Sequence, residues 1–280
     1  MFEKEIPVLL VDDDPDVLQV TRLAMRSFEV FGLPVVTYSA GNKADAIDLF
    51  TSRFALHNQV GAKLTVAFID VVMETDTAGL DLCDYIRDTV GNRFTQLYVR
   101  TGQPGVAPER SVIDRHDING YFTKMETTED KLYSLVKSGA RQAYFAGLSL
   151  SLAAILESLI AASRSRDEMA ATMLRRSGIW DSGFAFGYAM PDRAIVRGMD
   201  EGALMQLRDD LRGGTARPIG ADGDSYVVDG NRLLIHVAEG PATSEVFDVA
   251  VGHAPAPEML IPVMHTFARS FASLWRLAGD

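Results

Sequence analysis

The residues of this chain that could do chemistry sit at the ends of apolar runs. Leu64 to Ile69 is a short apolar stretch closed by Asp70, and Ile6 to Val11 runs straight into Asp12 and Asp13. Gln96 to Val99 leads to Thr101, and Ile118 to Thr123 leads to Lys124. Carboxylates brought to one point cannot all stay ionised unless a cation joins them. Oxygen-only ligands suit Mg²⁺, which accepts one or two carboxylates, a phosphate and waters. Such an ion would screen the negative charge and let a phosphate donor approach Asp70, the expected phosphoacceptor and nucleophile. Lys124 would then pair with one phosphoryl oxygen, and the Thr101 hydroxyl would donate to another. Contacts that exist only once Asp70 carries phosphate make a two-state switch. The bland alternative is an α/β domain that binds nothing here, which leaves four charged residues clustered without a reason.

The elements that must position these residues are readable in order. Asp14 is a good N-cap with Pro15 behind it, opening a helix that runs to about Gly32 with Val17, Val20, Ala24 and Phe31 on one face. Leu33 to Tyr38 is a strand and Asn42 to Leu56 a helix. After the strand ending at Asp70, residues 73–78 form a loop before a helix from Gly79 to Val90. The strand Gln96 to Val99, a helix from about Pro108 to Arg115 and the strand Ile118 to Thr123 follow. Regular alternation of strand and helix predicts a doubly wound, five-stranded parallel sheet. Right-handed crossovers bring all the carboxyl ends of its strands to one edge, where open α/β sheets bind ligands.

Composition narrows the class of protein. The 280 residues are 47% hydrophobic with a net charge of −11, so sizeable cores are expected and a nucleic-acid-binding surface is not. One cysteine, Cys83, allows no intrachain disulfide and fits a reducing cytosol. No signal-peptide pattern opens the chain. The longest apolar run, Leu148 to Ala162, is too short to span a membrane and contains Glu157. The expectation is a soluble cytoplasmic protein with no membrane and no nucleic-acid partner.

Val-Asp-Asp-Asp-Pro at 11–15, Phe-Ile-Asp-Val-Val-Met at 68–73, Thr101 and Tyr-Phe-Thr-Lys at 121–124 resemble a two-component response-regulator receiver domain. The resemblance covers residues 1–137 and implies a flavodoxin-like fold. It also implies Mg²⁺ held by Asp12, Asp13, Asp70 and the backbone carbonyl of Val72, with Thr101 and Lys124 as the switch hydroxyl and the phosphate-binding lysine. Tyr121 matches the switch aromatic, and a sensor histidine kinase is the implied partner. Met125 stands in place of the usual proline after the lysine, which removes the basis for a cis peptide there. The loop after Asp70 also lacks its usual proline, and Arg100 replaces a common apolar residue. Met-Glu-Thr-Asp at 73–76, Arg-Thr-Gly-Gln-Pro-Gly at 100–105 and Ala-Pro-Glu-Arg at 107–110 resemble a subgroup of receivers. That subgroup precedes a domain of unknown function, some members lying upstream of HD-GYP phosphodiesterases.

Beyond the receiver, a helix from Thr128 to about Arg141 leads into a heptad-like stripe. Phe145, Leu148, Leu152, Ile155, Leu159 and Ala162 alternate steps of three and four, and Met169 and Met173 resume the stripe past Arg166. Residues 138–178 are therefore expected as a helical linker, closed by Ser177-Gly178. Two readings of it stay open: packing on the chain's own C-terminal domain, or a parallel coiled coil that makes a homodimer. Residues 179–280 read as strands around Phe184 to Met190, Arg193 to Arg197, Ser225 to Val228, Arg232 to Val237 and Glu245 to His253. A helix from Glu201 to Leu211 lies among them, and a last helix runs from Pro257 to Leu277. Asp229-Gly230-Asn231 is a tight hairpin signal. This α+β plan looks like a smaller GAF- or PAS-like domain.

His236, His253 and His265 have no metal-ligand spacing and are expected in ordinary packing. Ala221-Asp222-Gly223-Asp224 reads as a turn. No P-loop, HEXXH or GXSXG motif is present, so an enzyme is not expected. The sequence thus predicts a phosphorelay regulator acting through the linker on a downstream protein, with small-molecule sensing by the C-terminal domain as the alternative.

Overall fold

A computed structural model describes residues 5–55, 63–102, 109–175, 185–189, 194–220, 223–238, 246–252 and 257–278. Expectations that fall on Gln103 to Ala107, Ser177-Gly178, Asp222 and His253 lie outside the described residues. The chain divides into two compact units, Met1–Gly147 and Leu148–Asp280.

In the first unit the strands are β1 (Ile6–Val11), β2 (Glu29–Val30), β3 (Leu33–Ala40), β4 (Val66–Asp70), β5 (Gln96–Thr101) and β6 (Gly120–Thr123). They lie in the order β2-β3-β1-β4-β5-β6. Every pair is parallel except β2 with β3. Every residue of β1, β4 and β5 is buried, as helices on both faces of a parallel sheet require. Those helices are α1 (Pro15–Met25), α2 (Lys43–Thr51), α3 (Ala78–Asp84) and α4 (Glu109–His116). A π-helical turn, Tyr85–Thr89, continues α3.

The expected five-stranded parallel sheet is thus corrected to a six-stranded mixed one. The first helix stops at Met25, not near Gly32, and the chain folds back as an antiparallel hairpin. Phe31 and Gly32, with φ of 57° and 74°, form its two-residue turn, the left-handed pair that matches strand twist.

The long helix α5 (Glu129–Ala161) joins the expected closing helix and stripe into one element. By length and composition α5 could cross a membrane, which the interrupted sequence pattern had not suggested, and 35% of the relevant stretch is buried inside the protein. Its stripe does not continue as one helix. The chain turns at residues 162–165, and α6 (Arg166–Arg175) begins, where Arg166 Nε donates to the Trp275 carbonyl at 3.2 Å. Leu148, Leu152, Ile155, Leu159, Met169 and Met173 are all buried within the single chain. The stripe that suggested a coiled-coil dimer is therefore consumed by intramolecular packing.

The second unit is built on a six-stranded antiparallel sheet in the order β8-β7-β12-β11-β10-β9. Its strands are β7 (Ala185–Ala189), β8 (Ala194–Arg197), β9 (Arg217–Pro218), β10 (Ser225–Asp229), β11 (Arg232–Ala238) and β12 (Val246–Gly252). Two helices cover its opposite faces, α7 (Glu201–Arg212) and α8 (Pro257–Leu277). Adjacent residues of β7 show the alternation. A Cβ on Gly187 would lie 2.7 Å from the Leu204 methyls of α7, whereas Tyr188 packs its ring 4.8 Å from that of Phe271 in α8. Gly187 lets α7 approach closely, because any side chain there would lift the helix off the sheet.

Candidate functional site

Strand order decides where a site can form. The sheet reverses direction of winding at β1, which has β3 on one side and β4 on the other. The crevice outside their carboxyl ends is the position at which open α/β sheets receive ligands. Asp12 and Asp13 follow β1, and Asp70 ends β4.

Local chemistry fixes each of these groups. Asp14 caps α1, its side chain accepting from Asp16 N at 2.9 Å and Val17 N at 3.4 Å. Asp12 Oδ1 accepts from Asp14 N at 3.1 Å, which turns the Asp12 carboxylate into the crevice. Past Asp70, Val71 N donates to Arg100 O and Gly79 N donates to Val71 O, both at 3.1 Å. The loop that follows is tied down at Glu74, whose Oε1 accepts from Lys43 N at the start of α2, 3.1 Å away. An acid at a helix N-terminus is favourably placed, so Glu74 anchors a loop that lacks proline. Thr123 and Glu126 form a capping box around a short 3₁₀ turn, Lys124–Glu126. Its hydrogen bonds link Thr123 to Glu126 and so fix the backbone on either side of Lys124. No cis peptide occurs among the described residues, and Met125 points into solvent, 94% exposed.

The structure brings Asp12, Asp13, Asp70 and Lys124 together. One oxygen from each acid can be chosen so that all lie within 4.8 Å of one another. Asp12 and Asp70 are buried and Asp13 is exposed, so the cluster opens to solvent on one side. Lys124 Nζ sits between the two buried acids, 2.9 Å from Asp70 Oδ2 and 3.1 Å from Asp12 Oδ1. Burial pushes the Asp70 carboxyl above its ordinary range, the charge of Asp12 adds to this, and the Lys124 hydrogen bond opposes it. Burial pulls the Lys124 ammonium down, but its hydrogen bonds to Asp70 and Asp12 outweigh that and raise it. Three oxygen donors in one opening, one of them exposed, fit a small hard cation such as Mg²⁺.

Thr101 is buried at the end of β5, next to Arg100, which pairs in register with Asp70. Val72 follows two residues after Asp70, its side chain 36% exposed. Tyr121, half-buried on β6, packs on the core formed by Val99, Val112 and Ile118.

Sequence reasoning missed one member of this site and two clusters elsewhere. Arg100 was visible only as an oddity in an apolar strand, yet its guanidinium reaches Asp12. In the second unit, Asp224 is buried against His265 Nε2 at 2.6 Å and Arg269 Nη1 at 3.1 Å. Asp248 is buried against His236 Nδ1 at 2.9 Å and Arg212. His236 and His265 are therefore partners of buried carboxylates, a correction to the packing expected of them. Their partners lie 12 and 41 residues away in sequence, so no local spacing could reveal them.

Solved structures similar to this chain over about half its length are receiver domains. The signal receiver domain of an HD domain-containing protein from Pseudomonas fluorescens Pf-5 is 18% identical, with a TM-score of 0.40, covering 50% of this chain and 98% of that one. A response regulator receiver domain from Clostridium thermocellum is 16% identical, with a TM-score of 0.40, covering 50% and 97%. The receiver domain of the Arabidopsis thaliana histidine kinase CKI1, complexed with Mg²⁺ and BeF₃⁻, is 16% identical, with a TM-score of 0.38, covering 48% and 88%. Among curated proteins, the 3'3'-cGAMP-specific phosphodiesterase 2 of Vibrio cholerae serotype O1 is 41% identical over 134 residues. Those residues are 48% of this chain and 24% of that protein, so the match spans about a quarter of the relative's length. No family model matches the chain.

Proposed function

We propose that this chain is a response regulator of a two-component phosphorelay, with Asp70 as its phosphoacceptor. The observation that carries the reading is the Lys124 ammonium bridging Asp12 and Asp70 at the switch point of the sheet. An ionised Asp70 oxygen attacks the phosphorus of a phosphodonor. The P–N bond of a kinase phosphohistidine, or the P–O bond of acetyl phosphate, breaks, and the leaving group keeps the electron pair. Asp12, Asp13, Asp70 and the Val72 carbonyl would hold Mg²⁺, whose bound charge offsets the repulsion between acids and phosphate. Lys124 exchanges a carboxylate partner for a phosphoryl oxygen, and the Thr101 hydroxyl donates to another. Tyr121 would follow Thr101 inward.

The partner is a sensor histidine kinase. Output is conformational, through α5 to the C-terminal unit and a downstream protein, with no enzymatic step. The antiparallel sheet covered by α7 and α8 is compatible with a GAF- or PAS-like domain. The sensing alternative has one observation behind it, an open cleft of about 350 Å³ lined by Asp210, Thr215, Arg217 and Asp229. That is at the small, polar end of ligand sites, and the phosphorelay reading stands ahead of it.

Phos-tag electrophoresis after treatment with acetyl phosphate and Mg²⁺ tests the proposal. The wild-type chain should shift and Asp70→Asn should not; equal labelling of both refutes it.

A further inference from the structure

Arg100 is the largest fully buried side chain among the described residues, and it lies beside Asp12 at the site. Its Nη1 donates to Thr21 Oγ1 of α1 at 3.0 Å. Its Nη2 stands 3.7 Å from Asp12 Oδ2, an ion pair just beyond hydrogen-bond length. Nε and Nη2 have no hydrogen-bond acceptor, and Asp12 Oδ2 is shared between two cations, with Lys124 Nζ nearer at 3.0 Å and Arg100 Nη2 farther off. A guanidinium does not give up its proton in a protein, so burying one here requires nearby negative charge. Asp12 and Asp70 supply it, opposing the burial that pulls the guanidinium below its ordinary range.

We infer that Arg100 is a resident counter-cation of the site that competes with the divalent ion for Asp12 and keeps metal affinity low. The inference rests on the reading of Asp12, Asp13 and Asp70 as a metal-assisted acceptor site. Two cations, Lys124 and Arg100, leave the three ionised acids with one net negative charge. Without Arg100 two would remain, matching a divalent ion. The two cations also differ in freedom. Lys124 is a quarter exposed on a flexible stem and can yield Asp12 to a metal. Arg100 is 2% exposed and pinned to Thr21, so its charge stays. A like charge this close, in surroundings drier than water, opposes a second cation strongly. The site is thereby tuned to take its metal together with an incoming phosphoryl group, whose negative charge restores the attraction.

Calorimetric titration of the full chain with Mg²⁺ tests this, alongside Arg100→Met, Arg100→Lys and Asp70→Asn, with folding checked by circular dichroism. Removal of the charge in Arg100→Met should tighten Mg²⁺ binding by roughly tenfold or more. Arg100→Lys, which keeps the charge, should stay within about threefold of wild type. Arg100→Gln, still able to bond Thr21, takes the place of Arg100→Met if that variant does not fold. Unchanged or weaker Mg²⁺ binding in the uncharged variants overturns the inference, and loss of binding in Asp70→Asn then leaves the metal site standing. Equal tightening by Lys and Met overturns charge as the cause. No binding in wild type or any variant overturns both the inference and the metal-site reading.

Discussion

Replacing Gly79 by alanine should cripple the strand that carries Asp70 while leaving every charged side chain of the site in the sequence. A Cβ built on Gly79 would lie 1.8 Å from the Asp70 carbonyl oxygen, 2.8 Å from the Asp70 carbonyl carbon and 3.1 Å from Ile69 Cγ2. The first two are backbone atoms, so no rotamer change relieves the clash. Ordinary carbon–oxygen contact needs more than an ångström of extra separation. The neighbouring hydrogen bonds, Gly79 N to Val71 O and Val71 N to Arg100 O, resist that movement. Relief therefore costs at least one of these bonds, about 1–3 kcal/mol, besides overpacking strain of roughly 1–3 kcal/mol. A loss of about 3 kcal/mol or more is expected in urea denaturation followed by circular dichroism. Displacement of Asp70 should also slow acetyl-phosphate labelling by tenfold or more, since small misplacements of a reacting group are expensive. Gly41→Ala is the control, because nothing lies within 4 Å of its Cβ. If Gly79→Ala denatures and labels like Gly41→Ala, the packing argument is wrong.

Three further outcomes follow from the same geometry. Phe31 sits at φ 57° in the β2–β3 turn, so Phe31→Gly should stabilise the first unit by about 1 kcal/mol, and a lower melting temperature contradicts this. Cys83 is fully buried, which pushes its thiol up to about 12, so Ellman's reagent should react with the denatured protein and not with the native one at about pH 8. Because burial raises the Asp70 carboxyl, the native state holds that proton more tightly than the unfolded chain. Ionised Asp70 therefore costs stability above its native titration range and costs none below the unfolded carboxyl range. Asp70→Asn should melt above wild type at about pH 7.5, with the gap closing toward about pH 4; a gap that widens on acidification reverses the sign of the argument.

The first unit was legible because its buried strands are continuous apolar runs that end in polar residues. Strand alternation supplied the sheet, and the switch-point rule then supplied the meeting of Asp12, Asp13, Asp70 and Lys124. What escaped was set by contacts distant in sequence. Glu29–Val30 is too short to show a strand period and exists only through pairing with Leu33 and Pro34. Arg87 reads as a solvated helix position, yet its buried guanidinium donates to the carbonyls of Asn92 and Thr95 in one loop and of Asp117 in another, and so ties the two together. The stripe on α5 and α6 was visible as apolar spacing. The spacing could not say that the covering surface belongs to the same chain, nor that the helix breaks at residues 162–165. Asp224 and Asp248 looked like turn and strand acids until the fold brought histidine and arginine to each.

The small hairpin at the margin of the first sheet has a consequence for how the protein behaves in crowded solution. Strand β3 is eight residues long, and β2 covers it only at Leu33 and Pro34, with Phe28 O taking the amide of Val35. From Val36 to Ala40 no other strand borders it on that side among the described residues. A long open border of this kind is a template on which a foreign strand can lie down and start a fibril. The hairpin blocks one end of that template, and Pro34 removes a donor from it. Damage to the turn at Phe31–Gly32 would therefore show itself as turbidity on concentration before it showed as a loss of fold.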